Sequence, residues 1–145
     1  MDAKRILWIS SDSSLTTRYN NALKGNGYLV DIDKNAEKSL PDLQYEEYYI
    51  ICIDYETLSK GNLSKFKNAP LNGSKEQLGL WLLDETRASR INQKTPVIFF
   101  TVYPLSSPKS EAMKSREADI NLVKLLSFSE TDPIRFAKSL DSMFN

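Results

Sequence analysis

Short apolar runs alternate along the chain with longer segments in which apolar residues recur every three or four positions. Five runs have the length and composition of β-strands, at residues 5–10, 28–32, 49–54, 96–101 and 120–124. Three of them are nearly continuous in apolar residues, which is typical of parallel strands covered on both faces. The hydrophobic pattern therefore predicts a sheet of buried parallel strands.

The segments between the runs carry helix signals. Apolar residues share one face of a first helix, which should end at Gly25 or Gly27. A shorter second helix, beginning near Ala36, should break near Pro41 because proline lacks the amide proton that a helix interior needs. A Ser-Lys-Glu-Gln capping box at 74–77 predicts the start of a third helix.

Two further helices are predicted by an N-cap residue followed by proline. Ser-Pro at 107–108 opens the fourth and Asp-Pro at 132–133 opens the fifth. The fifth helix is expected to bury four apolar residues, namely Ile134, Ala137, Leu140 and Phe144.

This alternation of strands and helices predicts a single α/β domain over 1–145. The expected fold is a doubly wound, five-stranded parallel sheet with helices on both faces, of the flavodoxin-like kind. One connection departs from the pattern, because 56–74 is long and rich in Asn, Gly, Ser and Lys. A connection of that length tends to be functional or disordered.

Composition excludes several classes of function. The chain has no histidine, so it holds no histidine base, no Ser-His-Asp triad and no phosphohistidine of its own. Nineteen basic and nineteen acidic residues cancel, which predicts no general attraction to nucleic acid or to an anionic membrane. Cys52 is the single cysteine, and no apolar run approaches the ~20 residues that span a bilayer. A cytoplasmic protein is expected.

Polar residues follow the apolar runs of three predicted strands. Asp54 ends the third strand, Thr101 the fourth and Lys124 the fifth. Ligands of open α/β sheets bind at the carboxyl ends of the strands, so a carboxylate, a hydroxyl and an ammonium group are expected to converge there. The alternative is that each is only a polar strand end.

This ordered set resembles the receiver domain of response regulators in two-component and phosphorelay signalling. The segment "LGLWLLDETR" at 78–87 is similar to the third helix of that family, and "ADINLVK" at 118–124 is similar to the approach to its lysine. The resemblance implies that Asp54 accepts a phosphoryl group, that Thr101 contacts the phosphoryl oxygens and that Lys124 pairs with Asp54. It also implies a signalling protein that is not an enzyme beyond accepting that group.

The partners implied by the resemblance are proteins. They are a histidine kinase, a phosphotransfer protein or an output protein, with a homodimer through the fourth and fifth helices as a further expectation. Because the sequence ends with the fifth helix, a stand-alone signalling or interaction module is expected.

The sequence departs from the family at the metal site. Receivers carry two adjacent acids after the first strand that hold Mg²⁺ with the phosphoacceptor, and Ser10 and Ser11 stand at those positions. Asp54 is the remaining metal ligand, with Asp12 and Glu56 as weaker candidates. Serine hydroxyls are poor replacements for carboxylates around a hard dication, so Mg²⁺ binding and phosphorylation are expected to be weak or absent.

A different class of function rests on the hydroxyl-rich stretch from Ser10 to Thr17, between the first strand and the first helix. A helix N-terminus at this position can bind phosphate, and flavodoxins hold FMN in a similar place. The alternative prediction is therefore an FMN- or nucleotide-binding protein. The stretch contains no glycine that would let backbone amides close around an anion.

Overall fold

A computed structural model describes residues 4–59, 69–70, 75–119 and 122–144. Strands and helices alternate throughout this part of the chain. The strands are β1 Arg5–Ile9, β2 Leu29–Asp33, β3 Ile50–Asp54, β4 Val97–Thr101 and β5 Val123–Ser127. The helices are α1 Ser13–Gly25, α2 Ala36–Tyr45, α3 Lys75–Ala88, α4 Glu111–Asp119 and α5 Pro133–Ser139, with 3₁₀ turns at Pro108–Ser110, Phe128–Glu130 and Leu140–Ser142.

The five strands form one parallel sheet in the order β2-β1-β3-β4-β5. The predicted doubly wound fold is confirmed. Strands β2 and β3 lie on opposite sides of β1. The direction of winding therefore reverses between β1 and β3. Ligands of such sheets bind at this reversal, beside the carboxyl ends of the two strands.

Alternate residues of the strands point into two apolar layers. One layer joins the sheet to α1 and α5 and contains Trp8, Tyr19, Phe100 and Phe136. The other joins the sheet to α2, α3 and α4. Every residue of β3 and β4 is buried. Their side chains are covered on both faces, which explains the continuous apolar runs in the sequence.

The predicted boundaries of the first four strands are right to within one residue, but the fifth is wrong. The strand covers Val123–Ser127 instead of 120–124. Val123 and Leu125 point into the α2–α3–α4 layer, and the exposed Lys124 lies between them. The apolar pattern continues beyond the lysine, and the strand follows that pattern.

Two helix predictions also need correction. Helix α2 runs through Pro41 to Tyr45, because Leu40 and Leu43 on either side of the proline are both buried. Their burial offsets the ~3 kcal/mol that a helix-interior proline costs. In the fifth helical segment, Ala137 and Leu140 are buried as predicted, but Ile134 is 60% exposed and Phe136 is buried in its place.

The predicted cap of the fifth helix at Asp132 is confirmed, whereas Ser107 caps the 3₁₀ turn Pro108–Ser110 that precedes α4. Each side chain accepts a hydrogen bond from the backbone N–H two or three residues ahead. Most of the long connection at 56–74, including Ser74 of the predicted capping box, lies outside the described residues. Among the helices that are described, none has the length and apolar character to cross a membrane.

Candidate functional site

Asp54 lies at the carboxyl end of β3 and is 4% exposed. Its Oδ2 accepts a hydrogen bond from the Ser10 hydroxyl at 2.7 Å, and its Oδ1 accepts one from the Glu56 amide at 3.0 Å. Ser10 follows β1, the neighbouring strand, so two adjacent strand ends bring the groups together. Two uncharged groups, the Ser10 hydroxyl and the Glu56 amide, therefore bind a buried carboxylate.

The two serines at the start of the β1–α1 loop are both engaged within the protein. Besides donating to Asp54, the Ser10 hydroxyl accepts from the Asp12 amide at 3.1 Å. The Ser11 hydroxyl donates to the Lys34 carbonyl at 2.6 Å and accepts from the Leu58 amide at 2.9 Å. Both hydroxyls thus connect the loops at this edge of the sheet.

Glu56 links the end of β3 to the end of β4. Its Oε1 accepts from the Thr101 hydroxyl and from the Val102 amide, both at 3.0 Å. Its Oε2 is buried and receives no conventional hydrogen-bond donor from the part of the chain that the structure describes. Thr101, which is completely buried, is connected to the Asp54 region through this carboxyl group.

The two carboxyl groups at the site influence each other. Burial raises the pKa of Asp54, while hydrogen bonds from Ser10 and from the Glu56 amide act in the opposite direction. Burial also raises the pKa of Glu56 to about 7; the Val102 amide opposes the shift and the charge of Asp54 adds to it. The two shifts are linked, because a side-chain hydrogen bond between the carboxyl groups raises the pKa of Glu56 and lowers that of Asp54.

The chain matches no protein-family model and no curated protein. Among solved structures it is similar to a CheY-like receiver domain from Methanospirillum hungatei JF-1, with a TM-score of 0.67 and 17% identity over 99% of this chain and 94% of that one. The fold is that of a response-regulator receiver domain.

Two further structures with the receiver fold have similar scores. The chemotaxis response regulator CheY4 of Vibrio cholerae gives a TM-score of 0.70 at 16% identity, over 97% of this chain and 98% of that one. The receiver domain of a sensor histidine kinase from Pseudomonas aeruginosa PAO1, solved with a magnesium ion in its active-site cleft, gives 0.69 at 15% identity, over 99% and 98%.

On this receiver fold, Asp54 and Thr101 end their strands as predicted, but Lys124 does not. Lys124 pairs in register with Ile98, near the start of β4, and its side chain is exposed. Ser127 is the residue opposite Thr101 at the carboxyl end of β5. Its hydroxyl lies 2.7 Å from that of Ser129. The expected ion pair of Asp54 with Lys124 is therefore wrong.

The predicted metal ligands do not form the set that Mg²⁺ prefers. Asp12 is exposed and caps α1, its Oδ1 accepting from the Leu15 amide at 2.9 Å. Glu56 is bound to Thr101 and Val102, as described above. Within the described ranges, no three Asp, Glu or Cys side chains are placed to hold a metal ion. Asp54 with two engaged serine hydroxyls does not fit a hard dication that requires several anionic oxygen ligands.

The β1–α1 loop does not favour the alternative prediction of an FMN- or nucleotide-binding site. The residue that caps the N-terminus of α1 is a carboxylate, Asp12, which would repel a phosphate. The Thr16 hydroxyl accepts from the Trp8 indole N–H at 3.0 Å, and the Thr17 hydroxyl donates to the Ser13 carbonyl at 2.9 Å. These hydroxyls, like those of Ser10 and Ser11, have partners inside the protein.

The residue whose role the sequence did not reveal is Glu56. The sequence predicts only a weaker metal ligand at this position, yet the side chain connects two strand ends. The available signal was its position, because an acid two residues beyond a strand end can reach the end of the next parallel strand. Glu56 does this through Thr101 on β4, the neighbour of β3.

Proposed function

We propose that this protein is a receiver-fold signalling module that acts through protein contacts and does not depend on phosphorylation of Asp54. The observation that carries the proposal is the environment of Asp54. Its carboxylate is bound by Ser10 and by the Glu56 amide, and Ser127 stands where the resemblance expects a lysine.

Phosphoryl transfer to a carboxylate requires that negative charge be neutralised as it develops on the phosphoryl oxygens. In receivers, Mg²⁺ and the lysine supply that positive charge. Here the acid pair that would hold Mg²⁺ is Ser10 and Ser11, and the lysine is displaced toward the start of its strand. The receiver fold is retained without the charges that its chemistry uses, so we assign the module to protein binding rather than catalysis.

The partners that this function implies are other signalling proteins, among them a histidine kinase, a phosphotransfer protein or an output protein. A homodimer through α4 and α5 remains a prediction of the same proposal. No step of this function uses a metal or a flavin.

The test is an intact-mass measurement after incubation with acetyl phosphate and Mg²⁺, with rapid acid quenching. We expect the wild-type protein to keep its unmodified mass. Asp54→Asn is the matched control, because the amide has nearly the same size and cannot form an acyl phosphate. Stoichiometric addition of one phosphoryl group to the wild type, absent from Asp54→Asn, would overturn the proposal.

A further inference from the structure

The Glu56 carboxylate binds the two hydrogen-bond donors that the end of β4 presents. The Thr101 hydroxyl and the Val102 amide both donate to Oε1, each at 3.0 Å. The resemblance to receivers assigns to Thr101 the role of contacting phosphoryl oxygens. We propose that these two donors form an oxyanion site that Glu56 fills as an internal ligand, and that takes a free carboxylate or phosphate ion when Glu56 is removed. This inference rests on the proposed function.

The donors are oriented for an anion by the surrounding backbone. Thr101 is 0% exposed, and its Oγ1 accepts a hydrogen bond from the Tyr103 amide at 3.2 Å. Because one lone pair of Oγ1 accepts from Tyr103, the hydroxyl proton is directed to Glu56. The Val102 amide follows the last residue of the strand and points to the same oxygen. Two convergent donors on one carboxylate oxygen make charge-assisted hydrogen bonds, which are stronger than neutral ones.

The internal ligand also fixes the surface that follows β4. Residues 102–110 connect β4 to α4 and are held at several points. Glu56 holds the Val102 amide, Glu130 accepts from the Leu105 amide at 2.7 Å, and the Ser110 hydroxyl donates to the Pro104 carbonyl at 3.1 Å. The Val102 side chain is 43% exposed. Glu56 thus keeps this connection in one arrangement without any phosphoryl group.

Amide hydrogen exchange, measured for each residue by NMR, tests the inference. In Glu56→Ala we expect the Val102 amide to exchange at least tenfold faster than in wild type, because the oxygen that accepts its proton is gone. Sodium acetate or inorganic phosphate should restore the protection in Glu56→Ala and leave the wild type unchanged, because Glu56 already fills the site there.

Glu130→Ala is the matched control, since it removes another carboxylate that accepts from an amide of the same connection. It should speed exchange at Leu105 and leave Val102 unchanged. If Glu56→Ala does not fold, Thr101→Val provides the second measurement. It keeps Glu56 but leaves its Oε1 with one donor, so exchange at Val102 should again be faster.

Two results would overturn the inference. One is unchanged Val102 exchange in the variant that folds. The other is Val102 exchange in Glu56→Ala that neither acetate nor phosphate slows. No phosphodonor is used, so the internal ligand can fail while the wild type still resists phosphorylation, and the two proposals are tested separately.

Discussion

At the scale of single residues, the carboxyl edge of the sheet holds buried or partly buried carboxyl groups whose pKa values are raised. Asp33 ends β2, and its side chain is partly buried with a buried Oδ2 atom. Its pKa is raised to about 8, mainly by burial. A hydrogen bond with Asp42 and the charges of Asp42 and Asp31 add to the shift. Lys38 opposes this shift but does not cancel it. The folded protein thus binds a proton at Asp33 more tightly than the unfolded chain does.

This shift predicts how stability depends on pH. Because the folded pKa of Asp33 lies above the ordinary 3.8, its contribution is present below about pH 4 and is lost as pH rises to about 8. Asp33→Asn should remove that decline, since asparagine does not titrate. We expect the wild type to lose about 1–2 kcal/mol more than the variant over this range, allowing for partial exposure of the side chain.

Urea unfolding of wild type and Asp33→Asn at pH 5 and pH 8 measures the difference. Comparing the two proteins cancels the contributions of Asp54 and Glu56, whose pKa values are also raised. Parallel pH profiles for the two proteins would contradict the assignment.

The sequence predicts the position of a site residue correctly where that residue directly follows the end of an apolar run. It does not predict a contact that a side chain makes across neighbouring strands. Asp54 and Thr101 follow directly from the ends of apolar runs. The bond from Thr101 to Glu56 depends on which strands are neighbours, a property of the folded sheet. Lys124 was misplaced because the lysine resembled a family motif, while Leu125 and Leu126 continue the strand beyond it.

At the scale of elements, the site depends on how closely α3 approaches the end of β3. A Cβ atom on Gly79 would lie 2.7 Å from the Tyr55 carbonyl oxygen and 2.9 Å from the Tyr55 Cα atom. Both are backbone atoms, so no rotamer change relieves the contact. Tyr55 lies between Asp54 and Glu56, and the glycine therefore permits the backbone path on which both carboxyl groups depend.

Gly79→Ala should consequently destabilise the protein by about 1–3 kcal/mol, even though alanine normally favours a helix by up to ~1 kcal/mol. The Glu56 and Val102 amide resonances should shift as Tyr55 is displaced. Gly25→Ala is the control, because a Cβ at the end of α1 meets no atom within 4 Å. It should leave stability unchanged or raise it slightly. Thermal unfolding and NMR spectra of the two variants test this prediction. Equal stabilities of Gly79→Ala and Gly25→Ala would contradict the argument that α3 closely approaches Tyr55.

The order of elements was predictable because the hydrophobic period changes between strands and helices. The extent of α2 was not, because local proline chemistry predicts a break that burial of Leu43 overrides. In α5 the prediction is wrong at Ile134 alone, for a related reason. Ile134 and Phe136 are both apolar, and only packing on Tyr19 and Phe100 selects Phe136 for the interior.

At the scale of the whole molecule, the receiver fold has been kept while the charged groups of its active edge differ. The apolar layers on the two faces of the sheet specify the fold, and none of the site residues belongs to them. Fold and site chemistry can therefore change separately, which explains why solved receivers at 14–17% identity share the architecture. The central claim is that four residues, Ser10, Ser11, Glu56 and Ser127, keep Asp54 from acting as a phosphoacceptor.

The most direct test is to restore the missing groups and measure phosphorylation by intact mass. The variant Ser10→Asp/Ser11→Asp/Glu56→Ala/Ser127→Lys regains an acid pair for Mg²⁺, frees the Thr101 hydroxyl and places an ammonium group at the end of β5. After circular dichroism shows that it folds in Mg²⁺, it is treated with acetyl phosphate beside the wild type. We predict that the variant gains one phosphoryl group on Asp54 only when Mg²⁺ is present, and that the wild type gains none. Equal phosphorylation of the wild type, or a folded variant that remains unmodified, would contradict the account.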